Sequence, residues 1–124
     1  MRISRNKYHN RKYSADGEVF DSKREYQRWQ ELKLLEKAGE ITELRRQVPY
    51  EILPDQREPD KIGPRGGRKP GRIIERKALY IADFVYKDRT GREVVEDCKG
   101  MRTKDYILKR KLLLFRFGIQ ILES

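Results

Sequence analysis

Leu79-Tyr80-Ile81-Ala82-Asp83-Phe84-Val85-Tyr86 is an apolar run with one carboxylate inside it, and Val94-Val95-Glu96-Asp97-Cys98-Lys99 follows a few residues later. Both runs have the length and β-branched or aromatic content of strands. Between them lies Asp88-Arg89-Thr90-Gly91-Arg92, with Gly91 where a three-residue hairpin loop needs a left-handed residue. That loop pairs Asp88 with Arg92, so Asp83 faces Asp97 and Ile81 faces Lys99. Side chains alternate along a strand, which places Asp83, Asp97 and Lys99 on one face. A two-residue loop would instead oppose Asp83 to Glu96 and turn Asp97 and Lys99 away. Arg89-Thr90 lacks the Gly or Asn that such turns favour, so the three-residue register is preferred.

Working outward, the other elements fall around this hairpin. Asp16-Gly17 between Tyr13-Ser14-Ala15 and Glu18-Val19-Phe20 is a two-residue hairpin signal. Ser22 and Glu25 have capping-box spacing and open a helix whose apolar positions Trp29, Leu32, Leu35 and Ala38 recur at helical spacing before Gly39. Residues 47–53 read as an edge strand, because Pro49 cannot donate to a ladder. Residues 54–71, with four of the five prolines and four of the nine glycines, read as a mobile basic loop. Arg72 to Tyr86 reads as a strand, Glu93 to Lys99 as its partner, and Thr103 to Phe117 as a second helix with Tyr106, Ile107, Leu113 and Leu114 on its apolar face. Gly118 ends that helix, and residues 119–122 form a last strand. The sum is one α+β domain over residues 1–124: a basic arm and hairpin (1–21), then the order αβββαβ with a mixed central sheet.

Composition narrows the chemistry. The chain has 124 residues, one His (His9) and one Cys (Cys98), which excludes paired-His and Cys-rich metal sites and any internal disulfide. The 30 Lys and Arg exceed the 20 Asp and Glu, for a net charge of +10. The excess is clustered in residues 1–13 (Arg2, Arg5, Lys7, Arg11, Lys12), in 61–77 (including Arg65, Arg68, Lys69 and Arg72) and in 102–116 (including Lys104, Lys109 and Lys111). Clustered cations are what phosphate-backbone binding requires, since each neutralised phosphate releases counterions. No apolar run is long enough to span a bilayer and no signal peptide is visible, so the expected location is the cytoplasm.

The two strand carboxylates complete the reading from the residues. A buried lone acid is costly unless it is paired or binds a cation, and two side by side repel. Oxygen-only ligands suit Mg²⁺ or Mn²⁺, which contact substrate phosphates, and a neighbouring lysine can assist an attacking water. That is the outline of a metal-dependent phosphodiesterase. The competing interpretation is an interstrand Asp–Lys ion pair on a solvated sheet face. For Glu25 a helix cap and a site role are both open; Cys98, opposite Lys99, reads as a small buried apolar residue, and Trp29 and Tyr106 as core.

Asp83 followed by Asp97-Cys98-Lys99 on a second strand, with the order αβββαβ, resembles the PD-(D/E)XK nuclease superfamily and its restriction-endonuclease-like core. Ala82 stands where many members carry Pro. The chain also resembles small uncharacterised proteins of phages and prophages in that superfamily, through Asn6-Lys7-Tyr8, Phe20 to Glu25, Leu32 to Lys37, Tyr80 to Phe84 and Val95 to Gly100. The resemblance implies a Mg²⁺-dependent DNA endonuclease with Mn²⁺ as a substitute, in the host cytoplasm. Asp83 and Asp97 would be metal ligands, the Cys98 carbonyl a further one, Lys99 the assistant to the water, and Glu25 the helix carboxylate that completes the site. Branched or junction DNA in phage recombination or replication is the expected substrate, and a homodimer would serve to cut both strands. The alternative is a non-catalytic nucleic-acid-binding module on the same fold.

Overall fold

A computed structural model describes residues 4–5, 11–98 and 101–124, with side chains from residue 12 onward. Lys7, His9 and Lys99 lie outside the described residues, as do the side chains of Arg5 and Arg11. The described residues form an α+β fold with two helices, a mixed four-stranded central sheet and small hairpins. At the N-terminus β1 (Ser4–Arg5), β2 (Arg11–Ala15) and β3 (Glu18–Phe20) form an antiparallel three-stranded sheet. Its β2–β3 turn is Asp16-Gly17 with both residues at positive φ, 54° and 77°, as a primed two-residue turn demands.

Helix α1 (Lys23–Lys37) starts as the sequence predicts: the Ser22 side chain accepts from the Glu25 N–H, and Gly39, at φ 80°, terminates it. The central sheet follows in the order β11-β10-β9-β4, built from β4 (Thr42–Leu53), β9 (Ala78–Lys87), β10 (Glu93–Asp97) and β11 (Leu122–Glu123). Only the β10–β11 pair is parallel, and β4 carries Pro49 on an edge as expected. Helix α2 (Lys104–Phe117) is capped by the Thr103 side chain and closed by Gly118 in the left-handed region. The central elements therefore run α1-β4-β9-β10-α2-β11, the αβββαβ order expected.

Two apolar clusters hold the layers together. Leu113 and Tyr106 of α2 pack with Tyr80, Ala82, Val85 and Val95. Leu32 of α1 packs with Ile41, Phe84 and Tyr86, and the Trp29 ring stacks on Phe84. Adjacent strand residues such as Phe84 and Val85 fall in different clusters, so the two helices cover opposite faces of the sheet. Trp29 and Tyr106 are core, as expected. Leu114 is a correction: it is 52% exposed, because the buried stripe of α2 runs through Tyr106 and Leu113, and the next residue is rotated about 100° out of it.

The larger correction concerns residues 54–71. They are not an irregular loop. Strand β5 (Gln56–Arg57) pairs with β8 (Ile73–Glu75), and β6 (Lys61–Ile62) pairs with β7 (Arg68–Lys69), both antiparallel. Their register continues that of β4 with β9: Val48 pairs with Ala82, Arg57 with Ile73, and Ile62 with Arg68. Two bulges, between Glu51/Leu53 and Gln56/Arg57, offset each other. One long hairpin thus runs from Thr42 to Lys87, half in the sheet and half beyond it. Gly71 is required where the strands approach, since a Cβ there would sit 1.9 Å from the Glu58 carbonyl oxygen.

A candidate metal centre of buried carboxylates

The β9–β10 turn settles the register. The Asp88 N–H donates to the Arg92 carbonyl at 2.9 Å, the Gly91 N–H donates to the Asp88 carbonyl at 3.0 Å, and Gly91 has φ 84°. Asp88 Oδ1 accepts from the Thr90 and Arg92 N–H groups and so holds the loop. The pairs Glu93↔Lys87, Val94↔Tyr86, Val95↔Val85 and Glu96↔Phe84 follow, and the next step opposes Asp97 to Asp83. The three-residue loop is the one the chain adopts.

A break in strand alternation brings a third acid to this pair. Val48 and Ala82 pack on the α2 face, whereas Phe84 stacks on Trp29 on the α1 face, and the Arg46 guanidinium lies 3.9 Å from the Phe20 ring centroid and 5.6 Å from that of Trp29. Residues two apart on a regular strand share a face; these do not. The switch falls between the pairs Val48↔Ala82 and Arg46↔Phe84, at Gln47 and Asp83, and Gln47 is left-handed with φ 51°. Released from strict alternation, Asp83 meets both Asp97 and α1.

On the α1 side, Glu25 is 2% exposed and lies with Asp83 and Asp21 in a group in which one carboxylate oxygen from each residue lies within 4.8 Å of the other two. Glu25 Oε2 accepts from the Asp21 N–H at 3.0 Å, Oε1 accepts from Gln47 Nε2 at 3.2 Å, and the Arg46 guanidinium stands 3.5 Å from Oε1. Its backbone N–H donates to Ser22 Oγ at 3.1 Å. Helix cap and site member are therefore one residue doing both: the backbone N–H closes the cap while the side chain faces Asp83. Burial, then the Asp21 charge, pushes the Glu25 carboxyl up, against the Asp21 N–H and Arg46.

Asp83 is the centre of the group. Its Oδ2 accepts from the Cys98 N–H at 2.9 Å. Burial first, then a hydrogen bond with Asp97 and the charges of Asp97 and Glu25, raise its carboxyl to about 9. Asp97 is fully buried, and its Oδ2 accepts from the Tyr80 hydroxyl at 2.6 Å. Two buried carboxyl groups set against each other favour a proton or a cation between them.

Of the expected metal ligands, Glu25 and Asp83 fall within the close group, and Asp97 joins it through Asp83. Cys98 presents its N–H to Asp83, and its side chain packs half-buried against the α1 cluster, as a small apolar residue would. Lys99, the expected partner of the water, lies outside the described residues. Sequence reasoning missed Asp21, which it placed at the end of a hairpin, and the flanking Arg46, Gln47 and Tyr80. The signal for Asp21 was available in its spacing of four from Glu25 across a helix start. Gln47 had none.

The described residues expected to contact nucleic acid are distributed over three parts of the chain. Arg65, Arg68, Lys69 and Arg72 are exposed on the distal hairpin, and Lys12 is exposed on β2. On α2, Lys104 and Lys111 are exposed, while Lys109 is half-buried and pairs with Asp105 at 3.4 Å. Among the described residues no helix is long and apolar enough to cross a membrane.

Fold and site together define an α+β protein that gathers carboxylates from its first helix and two central strands into one buried point. Residues 5–121 match the family of proteins of unknown function DUF1064, and the chain belongs to that family. It matches none of the curated proteins and none of the solved structures compared with it.

Proposed function

We propose that the protein is a metal-dependent DNA endonuclease of PD-(D/E)XK type that hydrolyses phosphodiester bonds in the cytoplasm. The observation that carries this reading is the convergence of Asp21, Glu25 and Asp83 within a few ångströms, with Asp97 beside Asp83 on the neighbouring strand. Three buried acids with the exposed Asp21 beside them repel one another, and a hard divalent cation with oxygen ligands relieves that repulsion. Mg²⁺ or Mn²⁺ supplies charge neutralisation and water activation at a phosphodiester. The residues present fit such an ion through their carboxylates.

The chain's own groups have separable tasks. Asp83, Glu25 and Asp97, with Asp21 beside them, would hold the ion, and the Cys98 carbonyl is proposed as a further oxygen ligand. The Tyr80 hydroxyl and the Gln47 amide fix the rotamers of Asp97 and Glu25. Lys99, two residues beyond Asp97, would orient or deprotonate the water. The basic surfaces would hold the phosphate backbone without reading bases, which favours a shape such as a branch or junction over a sequence. A homodimer would place two such centres on one substrate.

The test incubates the protein with linear, supercoiled and four-way-junction DNA plus Mg²⁺, Mn²⁺ or EDTA, comparing wild type with Asp83→Asn, Asp97→Asn and Lys99→Ala. Cleavage by wild type that needs the metal and is lost in the variants is expected. DNA binding without cleavage under every metal condition would leave the non-catalytic binding module as the better account.

A further inference from the structure

The distal half of the long hairpin has two unlike faces. Antiparallel partners share a face, and residues alternate between faces along each strand. One face carries Glu58, Asp60, Arg68 and Arg72, and it is internally neutralised: Arg72 lies 3.3 Å from Glu58 and Arg68 lies 3.8 Å from Asp60. The other face places Lys61 directly opposite Lys69 and adds Gly63, Gly67 and Gly71. Its remaining cation, Arg57, donates to the Gly71 carbonyl at 2.9 Å. Among the described residues no carboxylate stands within ion-pair distance of Lys61, Lys69 or the tip residue Arg65.

Like charges directly opposite each other across a hairpin are destabilising, and the alternative of pairing them with acids is used on the reverse face of this same ribbon. Gly63 and Gly67 carry no side chain beside the two lysines, and Gly67 is exposed with open space where a Cβ would stand, so a rigid partner can approach the backbone there. The tip is fixed rather than frayed: the Gly63 N–H donates to the Gly67 carbonyl at 2.7 Å, the Gly66 N–H donates to the Gly63 carbonyl at 3.0 Å, and Gly66 has φ 80°. This is the same three-residue turn as Asp88–Arg92 at the site, and it holds Arg65 at the far end.

We infer that the ribbon from Gln56 to Glu75 is a one-sided clamp for the sugar–phosphate backbone of duplex DNA, with Lys61, Lys69 and Arg65 as its contacts. The inference rests on the nuclease reading and adds a place and a length to it. From Asp83 to Gly67 the strand path is at most about 50 Å at roughly 3.3 Å per residue, around one and a half turns of B-DNA at about 34 Å each. The ribbon therefore contacts phosphates beyond the turn that holds the scissile bond, and substrates too short to reach it lose its contribution.

The test measures binding by fluorescence anisotropy in Ca²⁺, at several salt concentrations, for duplexes of increasing length. Wild type, Lys61→Ala/Arg65→Ala/Lys69→Ala and the control Glu43→Gln/Lys87→Gln, which removes an exposed ion pair at the other end of the same hairpin, are compared, with circular dichroism to show that each folds. Wild type is expected to gain roughly 10- to 100-fold in affinity once the duplex reaches the ribbon, with a salt slope steeper by about 2.7 for three phosphate contacts. The triple variant is expected to lack that gain and to bind short duplexes like wild type, while the control keeps most of the gain. A triple variant that retains the gain and the slope, or a control that loses as much, overturns the clamp and leaves the nuclease reading standing. Wild type that binds no DNA at any length overturns both.

Discussion

Glu96 and Asp97 are neighbours on β10, both with no exposed surface, yet their surroundings have opposite character. Glu96 faces α1 and is satisfied on both oxygens: Arg28 Nε donates at 2.6 Å, Arg28 NH2 at 3.0 Å and the Tyr86 hydroxyl at 2.7 Å. Burial alone would raise its carboxyl, but the hydrogen bonds from Arg28 and Tyr86 outweigh it and hold it below the ordinary glutamate value. Asp97, one residue on, faces Tyr80 and another acid, Asp83, which is driven far upward. One strand thus carries a carboxylate held by a guanidinium and a hydroxyl, and next to it a carboxylate set against a second acid. The first arrangement builds the sheet; the second is the one we propose as the metal site.

The sharpest way to break this contrast is to neutralise each acid in turn. Asp83→Asn or Asp97→Asn is expected to reduce metal-dependent cleavage by more than about 100-fold, the loss seen when groups that only support a metal ligand are removed. Thermal stability without metal should hold or rise, because the change removes repulsion between buried acids. A variant that cleaves normally, or that unfolds, would place Asp83 and Asp97 with Glu96 as structural groups.

Removing the cation that answers Glu96 should do the reverse. Arg28→Ala leaves a buried, uncompensated charge and is expected to cost about 3–5 kcal/mol in denaturant unfolding. The double variant Arg28→Ala/Glu96→Gln should recover much of this. Its metal affinity, measured by calorimetry, should match wild type, since Glu96 points to the opposite face.

The pH dependence separates the two acids by sign. Glu96 is depressed in the fold, so its contribution is present above the unfolded value near 4.3 and is lost as pH falls. Asp83 is raised, so its contribution is fully present below the unfolded value near 3.9 and is lost as pH climbs toward about 9. In EDTA the melting temperature is therefore expected to decline by a few degrees between pH 5 and 9. Mg²⁺ should flatten or invert that decline by taking the place of the proton. A decline unchanged by Mg²⁺ or Mn²⁺ would argue against a cation at Asp83.

What the sequence disclosed follows local rules. Gly91 set the loop, the loop set the register, and the register opposed Asp83 to Asp97. Ser22 and Glu25 announced the helix start that the structure shows. The distal ribbon stayed hidden because its prolines and glycines suppress every strand signal in residues 54–71, while its pairing is inherited from β4 and β9 through a register set many residues away. Asp21 was passed over because the end of a hairpin and the flank of a helix cap each explain an aspartate without a site.

Gln47 is the least legible residue of the site and offers the finest test. Its φ of 51° costs a residue with a Cβ about 1–2 kcal/mol, so the fold holds it there against its preference. The residue marks the switch of faces that lets Asp83 leave the ladder alternation, and its amide donates to Glu25 Oε1. Gln47→Gly separates the two roles: it relieves the backbone while deleting the hydrogen bond. Unfolding free energy is expected to change by no more than about 1 kcal/mol in either direction, since the relief offsets the lost bond. Metal affinity should fall severalfold as Glu25 loses a group that fixes its rotamer. Gln47→Ala keeps the strain and loses the bond, so it should match the Gly variant in metal affinity and be less stable by about 1 kcal/mol. Equal stability of the two variants would show that the backbone at Gln47 relaxes, and that the switch of faces is held by Arg46 and Phe84 instead.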